Sequence, residues 1–216
     1  MSRLLEPSRV LPLVAGLCVA ASVGAQELDL PDVSLVDAAT VAEMPDPMVG
    51  EVREFVGPVA TIPCSRWEIV TADAEEIVSA CEHYRIHFKR SEQLNMYKVV
   101  AAKGEIALQF EPAYPAIQFP LKVGAHWREK YTGHSAIEGL SWDGDVECDV
   151  ADFAEVKVAA GAFKAFRIEC RDRWRVGENG SSVTSTTWYA PDIAAVVKTL
   201  NYEDPRWNTE LAAYSR

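Results

Sequence analysis

"FRIECRDRWRV", residues 166–176, alternates with a period of two. Phe166, Ile168, Cys170, Trp174 and Val176 fall on one face, and Arg167, Glu169, Arg171, Arg173 and Arg175 on the other. Only Asp172 is out of place. Successive strand side chains point to opposite sides, whereas a helix would scatter this set around its axis. The stretch is therefore a half-buried β-strand. Just upstream, Val146, Cys148, Val150, Ala154, Val156 and Val158 alternate in the same way. "AAGA" (159–162) joins the two runs, and Gly161 supplies the backbone freedom for a reversal. A phosphate-binding loop would need a Gly-Lys-Ser/Thr run opening a helix, so Gly161 beside Lys164 reads as a hairpin corner.

Working outward, strand signals fill the chain from residue 51 on. "GENGSS" (177–182) predicts a turn at Asn179-Gly180, leading into the β-branched and aromatic run "VTSTTWYA" (183–190). "PD" (191–192) turns the chain towards "AVVKTLNY" (195–202), and "WNTELAAY" (207–214) closes it. Earlier, "HYRIHFK" (83–89) alternates, "MYKVVAAKGEIALQF" (96–110) reads as a hairpin turning at Lys103-Gly104, and "HWREKYT" (126–132) adds a strand after a proline-rich corner. The fold class is all-β: one curved antiparallel sheet, a half-barrel or a sandwich, of about eight to ten strands.

The start of the chain reads differently. Arg3 and Arg9 precede the apolar run "VLPLVAGLCVAASVGA" (10–25), which ends in small residues. It is too short for a membrane-spanning helix and matches a secretory signal peptide, residues 1–25. Residues 26–50 are acidic and punctuated by proline, a flexible leader with at most one short helix around 35–43. The β-rich domain takes 51–216. The 216-residue chain carries a formal charge of −11, and residues 26–216 hold 19 basic against 31 acidic side chains, or −12. Such a chain is repelled by phosphate backbones and anionic lipid, which argues against nucleic acid as a partner.

Four cysteines lie beyond the signal segment: Cys64, Cys81, Cys148 and Cys170. An even number in an exported chain suggests two disulfides, with three possible connectivities. Proximity favours Cys64–Cys81 and Cys148–Cys170. The second pair meets an obstacle, because a hairpin with strands at 156–158 and 163–166 sets Cys148 opposite about residue 174. That offset exceeds the roughly 7 Å limit between bridged Cα atoms.

Four phrases occur together in order: "FPLKVGAHW" (119–127), "VKVAAGAFKAFRI" (156–168), "WYAPDIAAVVK" (188–198) and "TELAAY" (209–214). In this the chain resembles a family of uncharacterised bacterial exported proteins, over roughly residues 60–214. The family wording is close to F-P-L-x-V-G-x-x-W, V-P-A-G-x-F-x-A-F-x-I and W-Y-A-P-x-x-G-x-V-K. The resemblance implies a curved antiparallel sheet or half-barrel, periplasmic or secreted, with no assigned activity. Ala159 stands where the family has proline, and Ala194 where it has glycine.

Several motifs approach a known chemistry and stop short. "GHSAI" (133–137) resembles a nucleophile elbow, but Ile137 replaces the second glycine and no histidine follows Ser135, so the hydrolase order is impossible. His83 and His87 have the spacing of helical zinc ligands, yet on a strand they lie about 13 Å apart. "DGDVECD" (143–149) spaces carboxylates as calcium loops do, but Cys148 and Ala154 occupy positions where an EF-hand has glycine and glutamate. Asn179-Gly180-Ser181 is a glycosylation sequon in a eukaryotic secretory pathway and otherwise a turn.

No cofactor or metal is implied, and the residues argue against catalysis. Six tryptophans remain. Most belong in the core, while Trp127, Trp142, Trp174 and Trp188 are the candidates for a ligand-binding platform. The expected function is a non-catalytic exported β-domain that binds a small hydrophobic molecule or an envelope protein. A carrier holding lipid in a half-barrel is the alternative, and a hydrolase using acids such as Asp143 and Asp145 the third reading.

Overall fold

The computed structural model of the chain describes residues 40–57 and 64–216. The signal-peptide segment and residues 26–39 of the leader lie outside the described residues. The strands are β1 (Val41–Ala42), β2 (Val52–Val56), β3 (Arg66–Ala72), β4 (Glu76–Ala80), β5 (Tyr84–Lys89), β6 (Asn95–Ala101) and β7 (Ile106–Glu111). They continue with β8 (Leu121–Lys122), β9 (His126–Ser135), β10 (Leu140–Val158), β11 (Gly161–Val176), β12 (Asn179–Ala190), β13 (Ala195–Asn201) and β14 (Thr209–Ser215). The fold is all-β, as the alternation predicts. Twelve of these strands form one antiparallel barrel in the order β10-β11-β12-β13-β14-β2-β3-β4-β5-β6-β7-β9, closing where β9 pairs with β10. The sequence reading of eight to ten strands is short because the brief strands near residues 52–80 have no long alternation to betray them. β1 pairs with β8 outside the barrel, so residues 41 and 42 of the leader are tied down in extended form.

The long hairpin β10–β11 organises the core. Its turn is Ala159-Ala160, with Val158 paired to Gly161. The register then slips by one between Val150 and Asp152. Together the earlier turn and the bulge bring Cys148 directly opposite Cys170, at a Cα–Cα distance of 4.1 Å, and the two are bridged. The obstacle drawn from a turn centred on Gly161 therefore falls away. Cys64 and Cys81 form the second bridge. The next turn also sits earlier than predicted, at Gly177-Glu178, with Val176 paired to Asn179. Gly177 has a φ of 57°, which suits the first position of a two-residue hairpin loop, and Asn179-Gly180 lie within β12.

Phe166, Ile168 and Cys170 join a cluster with Val146, Cys148, Val150, Trp127 and Tyr131. Ala165 and Phe163, pointing to the other side of β11, join a second with Val197, Leu211 and Val156. Each fully buried side chain such as Phe166 or Leu211 contributes on the order of 2 kcal/mol. The tip of the hairpin reaches β14, where the Ala160 N–H donates to the Leu211 carbonyl at 3.0 Å.

The polar face of the hairpin is a ladder of opposite charges. Asp143, Asp145 and Glu147 on β10 stand across from Arg175, Arg173 and Arg171 on β11. Arg128 on β9 grips Asp145 at 2.8 Å, and Arg173 reaches Glu147 at 3.3 Å. Cross-strand pairing of opposite charge explains both charged runs in the sequence.

Candidate functional site

Four short strands in a row, β2 to β5, present alternate residues to one cavity of about 260 Å³. They contribute Arg53 and Phe55, then Trp67 and Ile69, then Ile77 and Ser79, then Ile86 and Phe88. This is the period of two again, spread over strands of five to seven residues. Tyr189 and Val196 close the wall from β12 and β13, and Phe119 and Ile117 come from the proline-rich segment before β8. Pro45 and Pro47 flank it from the leader. At Gln93 and Leu94 the backbone turns left-handed (φ 64° and 55°), and the Gln93 side chain accepts the Phe119 N–H at 3.1 Å. That bond fixes the segment carrying Phe119 and Ile117 against the cavity.

The lining is mostly apolar, with Ser79, Gln93, Arg53 and Tyr189 as its polar members. At one end Arg53 donates through Nη2 to the Ala194 carbonyl at 3.0 Å and to Glu51 at 3.2 Å. Glu51 is buried and also receives the Met48 N–H at 3.2 Å, with the Arg216 guanidinium 3.7 Å away. Burial holds the Arg53 guanidinium below its ordinary value against the pull of Glu51, though arginine keeps its charge throughout the physiological range. Burial also pushes the Tyr189 phenol up to about 12. Both groups thus meet the cavity in their ordinary forms, a cation and a neutral hydroxyl.

Two further polar clusters lie elsewhere. Asp172, out of place in the sequence pattern, points inward and is buried. Its Oδ2 accepts from the Tyr131 hydroxyl at 2.7 Å and the Tyr114 hydroxyl at 3.2 Å, while Oδ1 has no partner among the described residues. Burial pushes its carboxyl above the ordinary aspartate value, outweighing the two phenols that favour the anion. On β4 to β6, Glu76 accepts from the Tyr97 hydroxyl at 2.6 Å and lies 2.9 Å from His87 Nδ1. Burial raises the Glu76 carboxyl, but these two hydrogen bonds prevail and it ends below its ordinary value.

The tryptophans named from sequence are dispersed, and none of the four lines this cavity. Trp127 is buried, its indole N–H donating to the Pro115 carbonyl at 3.0 Å. Trp142 lies against its register partner Gly133, where an added Cβ would come within 2.2 Å of the indole. Trp174 is half-buried on the same face of β11 as Asp172. Trp188 packs on the second apolar cluster, with the Lys198 ammonium 5.7 Å from its ring. The tryptophan in the cavity is Trp67. Alternation in "RWEIV" (66–70), with Trp67 and Ile69 on one face, is the signal that points to it. Among the weaker motifs, Ser135 ends β9 and accepts the Glu138 N–H at 3.2 Å within a turn. Asp145 is occupied by Arg128 and Arg173.

The two disulfides fit an oxidising, extracytoplasmic compartment. No family model matches the chain, and no curated protein sequence matches it. Two solved structures are similar in fold. One is a protein from Parabacteroides distasonis ATCC 8503 named as a lipoprotein, at 10% identity and a TM-score of 0.46, covering 82% of this chain and 100% of that one. The other, from Bacteroides fragilis NCTC 9343, is named as an exported protein with a YmcC-like fold, at 10% identity and a TM-score of 0.43, with the same coverage.

Proposed function

We propose that the chain is a non-catalytic β-barrel, exported behind the signal peptide at 1–25, that holds a small apolar molecule in the periplasm or outside the cell. The cavity on β2 to β5 carries this reading. At about 260 Å³ it exceeds the roughly 150 Å³ apolar cavity that accepts a benzene ring and approaches the ~300 Å³ of the smaller ligand pockets. Its occupant has roughly ten non-hydrogen atoms in contact with the walls. A two-chain lipid is too large. The charged ladder on β9 to β11 supports an exterior built for water, since charges facing lipid are strongly destabilising.

Two measurements test the reading. Native mass spectrometry of the protein purified from its own host is expected to show a small organic mass that leaves on denaturation. Isothermal titration of the delipidated chain with 1-octanol is expected to give one saturable site, lost in Ser79→Phe, whose ring fills the cavity. A bare chain that also fails to bind 1-octanol sinks the proposal, as does undiminished binding by Ser79→Phe.

A further inference from the structure

The polar end of the cavity specifies the ligand further. Among the described residues no carboxylate lines the cavity, and the ionisable groups that do are Arg53 and Tyr189. Glu51, the one carboxylate near them, faces two guanidiniums, Arg53 at 3.2 Å and Arg216 at 3.7 Å. The Glu51 carboxylate is thus engaged by both guanidiniums. Both recorded hydrogen bonds of Arg53 leave from Nη2, so Nε and Nη1 have no partner among the described residues. The Tyr189 hydroxyl likewise has none among them; the residue is largely buried, but its oxygen is still accessible. Uncommitted donors at one end of an apolar chamber form a receptor for a head group that accepts hydrogen bonds and carries negative charge.

Building on the cavity reading above, we infer that the site selects a single-chain amphiphile with one anionic head, a medium-chain carboxylate in chemical class. The carboxylate lies against Arg53 Nε and Nη1 and receives the Tyr189 hydroxyl, while the tail runs between Ile69, Ile77, Ile86 and Phe88. A neutral alcohol of the same length satisfies the tail and can accept one hydrogen bond, but it brings neither the second oxygen nor the charge that a guanidinium pairs with. Burial already holds the Arg53 proton affinity down, and an incoming anion relieves that. The wall residues set the chain length, and the uncommitted Arg53 donors set the head.

The test compares octanoate with 1-octanol by isothermal titration at neutral pH, using the full purified chain. Octanoate is expected to bind about tenfold or more tighter, the size of a hydrogen bond to a charged partner. Arg53→Met is expected to weaken octanoate far more than 1-octanol, bringing the two ligands within about twofold. Tyr189→Phe, which keeps Arg53 and its contact with Glu51, guards against misfolding and is expected to weaken octanoate more than 1-octanol. Equal affinity for both ligands in the parent chain overturns the head-group inference and leaves the cavity reading standing. A preference for octanoate that survives both substitutions also overturns it. Failure of both ligands to bind overturns the cavity reading itself, and this inference with it.

Discussion

Ala194 has φ 50° and ψ 43°, in the left-handed region. A β-carbon there costs roughly 1–2 kcal/mol. Ala194→Gly removes that cost. It keeps the backbone bonds, because the residue's N–H still donates to the Pro191 carbonyl and its own carbonyl still receives Arg53. Against the gain stands the larger freedom of glycine in the unfolded chain, about 0.4–1 kcal/mol. The net expectation is a stabilisation of about 0.5–1 kcal/mol, or roughly 1–4 °C in Tm for a domain of this size. Ala159 sets the opposite expectation. Its N–H donates to Glu210 Oε1 at 2.7 Å, and a proline there has no hydrogen to give. Ala159→Pro therefore lowers stability by about 1 kcal/mol. Calorimetric unfolding of both variants under oxidising conditions decides it. An Ala194→Gly variant no more stable than the parent refutes the strain argument, and a stabilising Ala159→Pro refutes the hydrogen-bond argument.

The two disulfides close segments of similar length, 17 and 22 residues apart, so chain entropy alone assigns each about 3 kcal/mol. Urea unfolding of Cys64→Ala/Cys81→Ala and of Cys148→Val/Cys170→Ala is expected to show comparable losses. A loss below about 1 kcal/mol for the Cys64–Cys81 pair would contradict this account, since it would tie the stabilisation to burial in the core. Asp172 gives a pH signature. Its native carboxyl titrates above its unfolded value, so its contribution is fully present below about pH 4 and is lost as pH rises through the native value. Stability of the parent relative to Asp172→Asn is expected to fall across that window by at most about 1.4 kcal/mol per pH unit. Parallel profiles for the two proteins would mean that Asp172 is not shifted by its burial.

What could be read from the sequence depended on strand length. β10 and β11 run for 19 and 16 residues, so their alternation exceeds chance and their faces are unambiguous. Their register was less legible. A turn placed two residues early and a single bulge at 150–152 move every cross-strand pair, and neither has a strong local signature. The site lies at the other extreme. "VREFV" and "EIVSA" offer five residues each, and nothing within them says which face meets a cavity. Arg53 alternates with Phe55 on the inner side, but an arginine in a short strand is ordinarily read as solvated. Asp172 shows the complementary limit: its irregularity is visible in the pattern, while its partners Tyr131 and Tyr114 stand 41 and 58 residues away. Abundance of tryptophan drew attention to the core, because a residue that packs well beside Gly133 or under Pro115 looks the same in sequence as one that receives a ligand.

The division between filled and hollow parts of the barrel has an energetic meaning. Of the largest fully buried side chains, Phe166, Ile168, Val146, Val150 and Cys148 sit on β10 and β11, Leu121, Leu211, Val99 and Val197 on β8, β14, β6 and β13, and none on β2 to β5. The open volume is bordered by the short strands β2 to β5. On the scale of large-to-small core substitutions, about 24 cal/mol per Å³, a void of this volume costs on the order of 6 kcal/mol if left empty and dry. That is comparable to the whole stability of many domains. Water entering from the open end reduces the cost but cannot satisfy Ile69, Ile77, Ile86 and Phe88. The remedy within reach of single substitutions is plain, since Ser79 and Ala195 line the space and could be larger. A barrel that keeps small residues there, beside a half-buried guanidinium with free donors, has its interior shaped by something other than its own packing. Filling the space with side chains should therefore raise stability while abolishing ligand uptake: Ser79→Phe is expected to unfold at a higher temperature than the ligand-free parent, and a variant both less stable and still able to bind would show that the cavity is not where the ligand sits.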